Sequence, residues 1–333
     1  MGHGTGRPYF PGGRAVKPAI PVAVIGGYLG AGKTTVVNHL LRNAAGRRIA
    51  ILVNEFGDLP IDEDLIEAES EDMIAISGGC ICCSFGSDLT AALIKLSELV
   101  PPPDHVVIEA SGVAMPGTVA LSISILPGFA LAGVVVLADG DRIQAQAEDD
   151  YIGDTILRQL SDADVIVHSK TDLQSNAAAV EAVESWLQAT APQARVVTTA
   201  QGRVPPDIIL GLTGPNAKPQ ASPHADAGYE TLTFRQIPPC VPGDLAQKLA
   251  TGTYGVIRAK GFLRDSEGAS WVIQTVGRRF EIQRSQKLGP AGVVCIGRRG
   301  ALDTAALEAL LGSAGYVHRS NARLDRAGAG LSQ

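Results

Sequence analysis

Gly27-Tyr28-Leu29-Gly30-Ala31-Gly32-Lys33-Thr34-Thr35 is the stretch that decides the fold. It follows a short apolar run at 22–25 and opens a segment with helical periodicity at 33–42. The pattern is G-x-x-x-x-G-K-[ST], and its chemistry requires that placement between a strand and a helix. Glycines let backbone N–H groups turn inward around a phosphate, and the helix start adds the positive end of its dipole. Lys33 is expected to reach the β- and γ-phosphates of a nucleotide, and the Thr34 hydroxyl to bind Mg²⁺. Gly27, Gly30, Ala31, Gly32, Lys33, Thr34 and Thr35 are thus the expected phosphate-cradling residues.

Outward from this loop, short β-rich runs alternate with helical patterns. The runs are 22–25, 49–53, 73–76, 105–108, 134–138, 164–168 and 195–199, and the helical patterns are 33–42, 88–99, 149–160 and 177–187. Continuous apolar strands between helices predict a parallel sheet covered on both faces, an α/β P-loop NTPase domain. Ligands of such sheets gather at the carboxyl edge of the strands.

A Mg²⁺ site needs a carboxylate on a neighbouring strand. Residues 105–108 form an apolar strand that ends in Glu109, and Ser111-Gly112 follows, so that Gly112 can offer a backbone N–H to the γ-phosphate. Asp139, after 134–138, competes for the metal, but it lacks a glycine at the spacing that Glu109 has. Lys33, Thr34 and Glu109 are the expected catalytic set. Residues 165–168 run into Ser169-Lys170-Thr171-Asp172, which is similar to the guanine-reading motif N-K-x-D. A buried carboxylate at Asp172 would accept from the guanine N1–H and amino group, and a wrong base would leave it unpaired. The Lys170 stem would lie along the base, and Ser169 replaces the anchoring Asn.

Ser77-Gly78-Gly79-Cys80-Ile81-Cys82-Cys83-Ser84 follows the run 73–76. Three thiolates in four residues suit zinc, cobalt or copper(I), with a redox switch as the rival reading. Cys240 and Cys295 are isolated and expected to pack as small hydrophobes. Asn54-Glu55-Phe56-Gly57-Asp58 lies between the phosphate loop and the cysteines, and Asp58 is a further metal candidate. The acids Asp62, Glu63, Asp64, Glu67 and Glu69 read as an exposed face.

Composition narrows the rest. Twenty-eight Lys and Arg against 34 Asp and Glu give a net charge of −6, which argues against nucleic acid as partner. Aromatics at 5% argue against base-stacking platforms. The longest apolar run, 129–138, is about half a membrane span, and no export signal is legible at the start. Clustered free thiols then point to the reducing cytoplasm.

Residues 1–18 and 319–333 read as flexible tails, and 19–213 as the P-loop domain. The stretch 214–228 is Pro- and Ala-rich without period and reads as a linker. In 229–318, strands at 229–235, 255–263, 270–276, 279–283 and 293–297 follow one another, with helices at 241–250 and 303–311. That predicts a smaller α+β C-terminal domain.

The segments at 26–35, 54–58, 78–83, 109–112 and 169–172, in this order, resemble the CobW family of GTPases, relatives of the urease and hydrogenase maturation GTPases. Arg258-Ala259-Lys260-Gly261 and the strand near Ile296-Gly297 are similar to that family's C-terminal domain, so the resemblance covers roughly residues 20–318. It implies a GTP-hydrolysing metallochaperone that carries zinc or cobalt to a client metalloprotein or cofactor-biosynthesis enzyme. Carried over by position, Gly27–Thr35 cradle phosphate, Thr34 and Glu109 hold Mg²⁺, and Cys80, Cys82 and Cys83 hold the cargo, with Asp58 in a switch-like segment. Ser169 stands for the usual Asn, Ala110 for a common Thr, and no His-rich tract is present, so metal storage is not expected. Neither nucleic acid nor membrane is an expected partner, and a homo-oligomer is left open. A small-molecule kinase would have no use for C-x-C-C or S-K-T-D. A metal or redox sensor would leave the phosphate loop idle.

Overall fold

The computed structural model describes residues 19–44, 46–54, 73–78, 87–212, 228–285, 290–312 and 317–319. The first seven strands are β1 Ile20–Gly27, β2 Ile49–Asn54, β3 Met73–Gly78, β4 His105–Glu109, β5 Phe129–Asp139, β6 Val165–Ser169 and β7 Arg195–Thr198. They form one sheet in the order β3-β2-β4-β1-β5-β6-β7. Every neighbouring pair in it is parallel.

Alternation along the strands explains the two-sided burial. Val22, Val24, Val106 and Ile108 face one layer, where α2 Ser87–Glu98, α3 Pro116–Ser124, α5 Gly153–Asp162 and α6 Ala177–Thr190 contribute Leu93, Ile123, Leu160 and Leu187. Ala23, Ile25, Val107 and Val135 face the other, against Val36 and Leu40 of α1 Lys33–Arg42 and Ile208 of α7 Pro206–Leu210. The short helix α4 Ile143–Ala147 precedes α5.

The sequence reading did not name α3, α4 or α7. Pro116 supplies the N1 position of α3, but that helix has no side-chain cap and several β-branched residues. The other two have only five residues each, too few to display a period. α5 starts later than expected, because the Asp149 carboxylate accepts from the Tyr151 and Ile152 N–H groups and makes a turn ahead of it.

The second sheet is wholly antiparallel. Its strands are β8 Tyr229–Arg235, β9 Val256–Arg264, β10 Ser270–Val276, β11 Arg279–Ser285, β12 Gly292–Arg298 and β13 Val317–Arg319, in the order β11-β10-β9-β12-β8-β13. One face buries Leu232, Phe234, Val256 and Val293 under α8 Pro242–Ala250 and α9 Thr304–Leu311. Cys295 belongs to this core, and burial pushes its thiol up to about 12. The opposite face puts Tyr229, Ile257, Val276, Val294 and Ile296 into the same apolar cluster as α1 and α7.

Polar contacts close that junction. Arg258, 4% exposed, donates to the Ala132 carbonyl at 2.8 Å and the Ile209 carbonyl at 3.0 Å. Tyr229 donates to the Thr198 carbonyl at 3.1 Å, and Arg298 to Thr198 Oγ1 at 2.8 Å and to Glu184.

His105, at the start of β4, carries a pH prediction. Burial first, and then the Arg47 cation, pull its ring from 6.5 to about 4, with Asp104 opposing. Below about pH 6.5 the unfolded chain binds a proton that the folded chain refuses. The stabilisation is therefore complete above that pH and is lost as pH falls toward 4, at up to about 1.4 kcal/mol per unit. His168, also lowered by burial, acts in the same sense. His105→Gln should lose less stability than the parent between about pH 7.5 and about pH 5 in denaturant titrations. An unchanged loss would clear His105 of the effect.

Candidate functional site

The carboxyl edge of the parallel sheet gathers the residues singled out above. β1 ends at Gly27, whose φ is +126°, and an added Cβ would lie 2.5 Å from the Leu137 carbonyl oxygen, so only glycine fits. Gly32, in the left-handed region at φ 96°, caps α1 without a side-chain hydrogen bond. The first-turn N–H groups of that helix therefore have no side-chain acceptor at the cap, which suits an anion. The Lys33 ammonium folds back over the loop, 3.0 Å from the Gly27 carbonyl.

Thr34 Oγ1 donates to Glu109 Oε1 at 3.2 Å. Glu109 is 4% exposed and sits in register with Ile25 of β1 and Val53 of β2, directly beside the phosphate loop. A hydroxyl and a carboxylate are hard oxygen donors and fit Mg²⁺. The rival carboxylate, Asp139, accepts instead from the Lys170 ammonium at 2.7 Å. Past Glu109, Gly112 presses on the loop: a Cβ there would lie 2.9 Å from the Leu29 backbone nitrogen.

On the other side, Ser169 is buried. Its hydroxyl lies 2.8 Å from the Ala31 carbonyl and 3.1 Å from that of Ala138, so it ties the end of β6 to the phosphate loop. Lys170 adopts φ 58°, and a single 3-10 turn, Thr171–Leu173, follows. Asp172 is exposed rather than buried, because the turn leaves the sheet edge immediately after β6. Its carboxylate accepts from the Gln201 N–H at 3.4 Å.

Sequence reasoning missed the loop after β7. The Thr199 carbonyl accepts from the Thr171 N–H at 3.3 Å, and Gly202 packs on Thr35. Thr199-Ala200-Gln201-Gly202 has no period, and its one signal was the glycine, which sits at φ 68°. Gln159 of α5 was missed too, since it occupies a core-facing position of an amphipathic helix, where sequence predicts an apolar residue.

Asp58, Cys80, Cys82 and Cys83 lie outside the described residues. Their approach is described: β3 ends at Gly78, in register with Asn54 at the end of β2. Among the described residues, no group of three or more His, Cys, Asp or Glu could hold a metal, and no helix is long and apolar enough to cross a membrane.

A parallel sheet whose carboxyl edge carries a glycine loop, a Thr–Glu pair and a Ser-Lys-Thr-Asp turn defines a P-loop nucleotide-binding fold. Residues 21–198 match the family described as CobW/HypB/UreG, nucleotide-binding domain, and residues 229–315 the cobalamin synthesis protein cobW C-terminal domain. The chain belongs to the CobW/HypB/UreG family. It is 36% identical over 228 residues to the zinc chaperone CobW of a Sinorhizobium species, covering 60% of this chain and 64% of that one. It is 32% identical over 195 residues to the zinc-regulated GTPase metalloprotein activator 1 of Schizosaccharomyces pombe, covering 56% and 47%. The chain thus spans less than two thirds of the length of either relative. The Zn(II)-bound YjiA GTPase from Escherichia coli is similar at 22% identity, with a TM-score of 0.41 over 88% of this chain and 98% of that one.

Proposed function

We propose that this chain is a GTP-hydrolysing metallochaperone. It binds GTP at the phosphate loop, carries a transition metal on Cys80, Cys82 and Cys83, and passes it to a client metalloprotein or cofactor-building enzyme. The observation that carries the reading is the Thr34–Glu109 hydrogen bond beside the glycine loop, on the edge where β3 also ends. The names of the relatives favour zinc as cargo over cobalt. Asp58 is a secondary ligand candidate.

Gly27, Gly30, Ala31, Gly32 and Thr35 surround the phosphates, and Lys33 offsets the charge on the transferring phosphoryl group. Thr34 and Glu109 hold Mg²⁺, which when bound neutralises the phosphate oxygens. Gly112 offers its N–H to the γ-phosphate. Ser169 fixes the turn, the Lys170 stem flanks the base, and Asp172 reads it. Water is the nucleophile. No arginine or glutamine is assigned to orient it, so intrinsic turnover is slow and is accelerated by metal or client.

Hydrolysis of GTP and ATP, with and without zinc, tests the reading. GTP should be the better substrate, and no phosphate should pass to a small molecule. Asp172→Ala should narrow the GTP/ATP ratio of kcat/KM by at least tenfold, about 1.4 kcal/mol. A parent that prefers ATP, or a variant with the parental ratio, would remove the base assignment.

A further inference from the structure

We infer that Gln159 is a positioning residue for nucleotide hydrolysis, holding the Gly112 loop against the phosphate loop. The inference rests on the reading of that loop as the triphosphate site. Gln159 lies on α5, 1% exposed, between Ile156 and Leu160, which pack into the apolar layer. Burying a primary amide there is unfavourable unless its donors are met, and a leucine would fill similar space without that cost. Both donors are met by one short segment. Nε2 donates to the Gly112 carbonyl at 3.0 Å and to the Ala114 carbonyl at 2.8 Å.

The same face of α5 reaches the far end of that segment. Asp162, three residues on, accepts from the Gly117 N–H at 2.9 Å. The stretch from Gly112 to Gly117 is thus gripped from α5 at both ends. On its opposite side lies the phosphate loop, where Gly112 meets Leu29 with no room for a side chain. Only Ala110 and Ser111 separate Gly112 from Glu109, and the Ala110 N–H is pinned to the Ile25 carbonyl at 2.8 Å. Gln159 therefore sets where the Gly112 peptide stands relative to Glu109 and the loop, and with it the response to a third phosphate.

The test is Gln159→Met, which keeps length and volume and removes the donors. GDP affinity should stay within about twofold, while kcat for GTP falls roughly ten- to a hundredfold. A role confined to packing would change stability but leave kcat and the GTP/GDP affinity ratio at parental values, and that result overturns the inference. A second measurement needs no variant. Amide hydrogen exchange across residues 110–117 of the parent should slow with a non-hydrolysable GTP analogue relative to GDP, and equal exchange would also overturn it. A parent that hydrolyses no GTP would overturn the parent reading itself, whereas an active parent with an unaffected Gln159→Met variant would sink this inference alone.

Discussion

Lys33→Ala should abolish turnover in a protein that still folds. The Lys33 ammonium stands over the mouth of the loop, 3.0 Å from the Gly27 carbonyl, and takes no part in either apolar layer of the sheet. Removing it therefore deletes the point charge proposed to meet the β- and γ-phosphates without opening a core cavity. Loss of one preorganised donor to a developing charge costs about 10²–10³ in kcat, and a full cationic charge on a triphosphate belongs at the upper end of that range or beyond. Triphosphate binding should weaken as well, because Lys33 also neutralises the ground state. Steady-state GTP hydrolysis, fluorescent-nucleotide binding and circular dichroism on the same preparation separate these effects. A folded Lys33→Ala protein with parental kcat/KM would end the assignment of the phosphate loop.

The second large effect is expected at the cysteines. Replacing Cys80, Cys82 and Cys83 together with Ser should remove tight metal binding and leave nucleotide binding in place. Serine keeps nearly the same size but offers no thiolate at neutral pH. The sheet supplies the reason that metal and nucleotide should also communicate. Gly78 is opposite Asn54, Val53 is opposite Glu109, and Glu109 is opposite Ile25 at the head of the phosphate loop. With strands spaced about 4.8 Å apart, the end of β3 stands roughly 10 Å from Glu109. Metal affinity should accordingly be higher with Mg²⁺GTP than with Mg²⁺GDP, and linkage requires metal to tighten GTP by the same factor, with a coupling of about 1–3 kcal/mol. Thiolate absorption during cobalt titration of the GTP and GDP forms reads this directly. Equal affinities would leave a GTPase that binds metal, with no control of one by the other.

The parts of the fold legible in the sequence were those with a repeating physical signature. The runs at 22–25, 105–108 and 164–168 are apolar on both faces because helices cover both faces of the parallel sheet, and that pattern carries its own meaning. The phosphate loop was legible because its glycines and Lys33-Thr34 occupy fixed offsets. The Thr34–Glu109 contact followed from strand logic, since β1 leads into the loop and helix that carry Thr34, and its neighbour β4 ends in Glu109. What escaped was long-range and aperiodic. Nothing local marks Gln159 as the partner of carbonyls 45 and 47 residues away. The exposure of Asp172 escaped for a related reason: the motif fixes the residue type but not its burial, which depends on where the turn leaves the sheet. Arg258 was noticed only as part of a resemblance, and its role as the bolt between the sheets needed Ala132 and Ile209 in place.

Thr198 gives the junction of the two sheets a meaning of its own. Its carbonyl and hydroxyl are both held from the antiparallel side, by Tyr229 and Arg298. The next residue, Thr199, gives its carbonyl to the turn that carries Asp172. One peptide bond therefore separates the second domain's grip from the bond that holds the Thr171–Leu173 turn. The C-terminal sheet is in this sense fastened to the edge of the parallel sheet and not appended to it. A load applied to β8 or β12 has a stiff and very short path to the Thr171–Leu173 turn, through a fulcrum one residue wide.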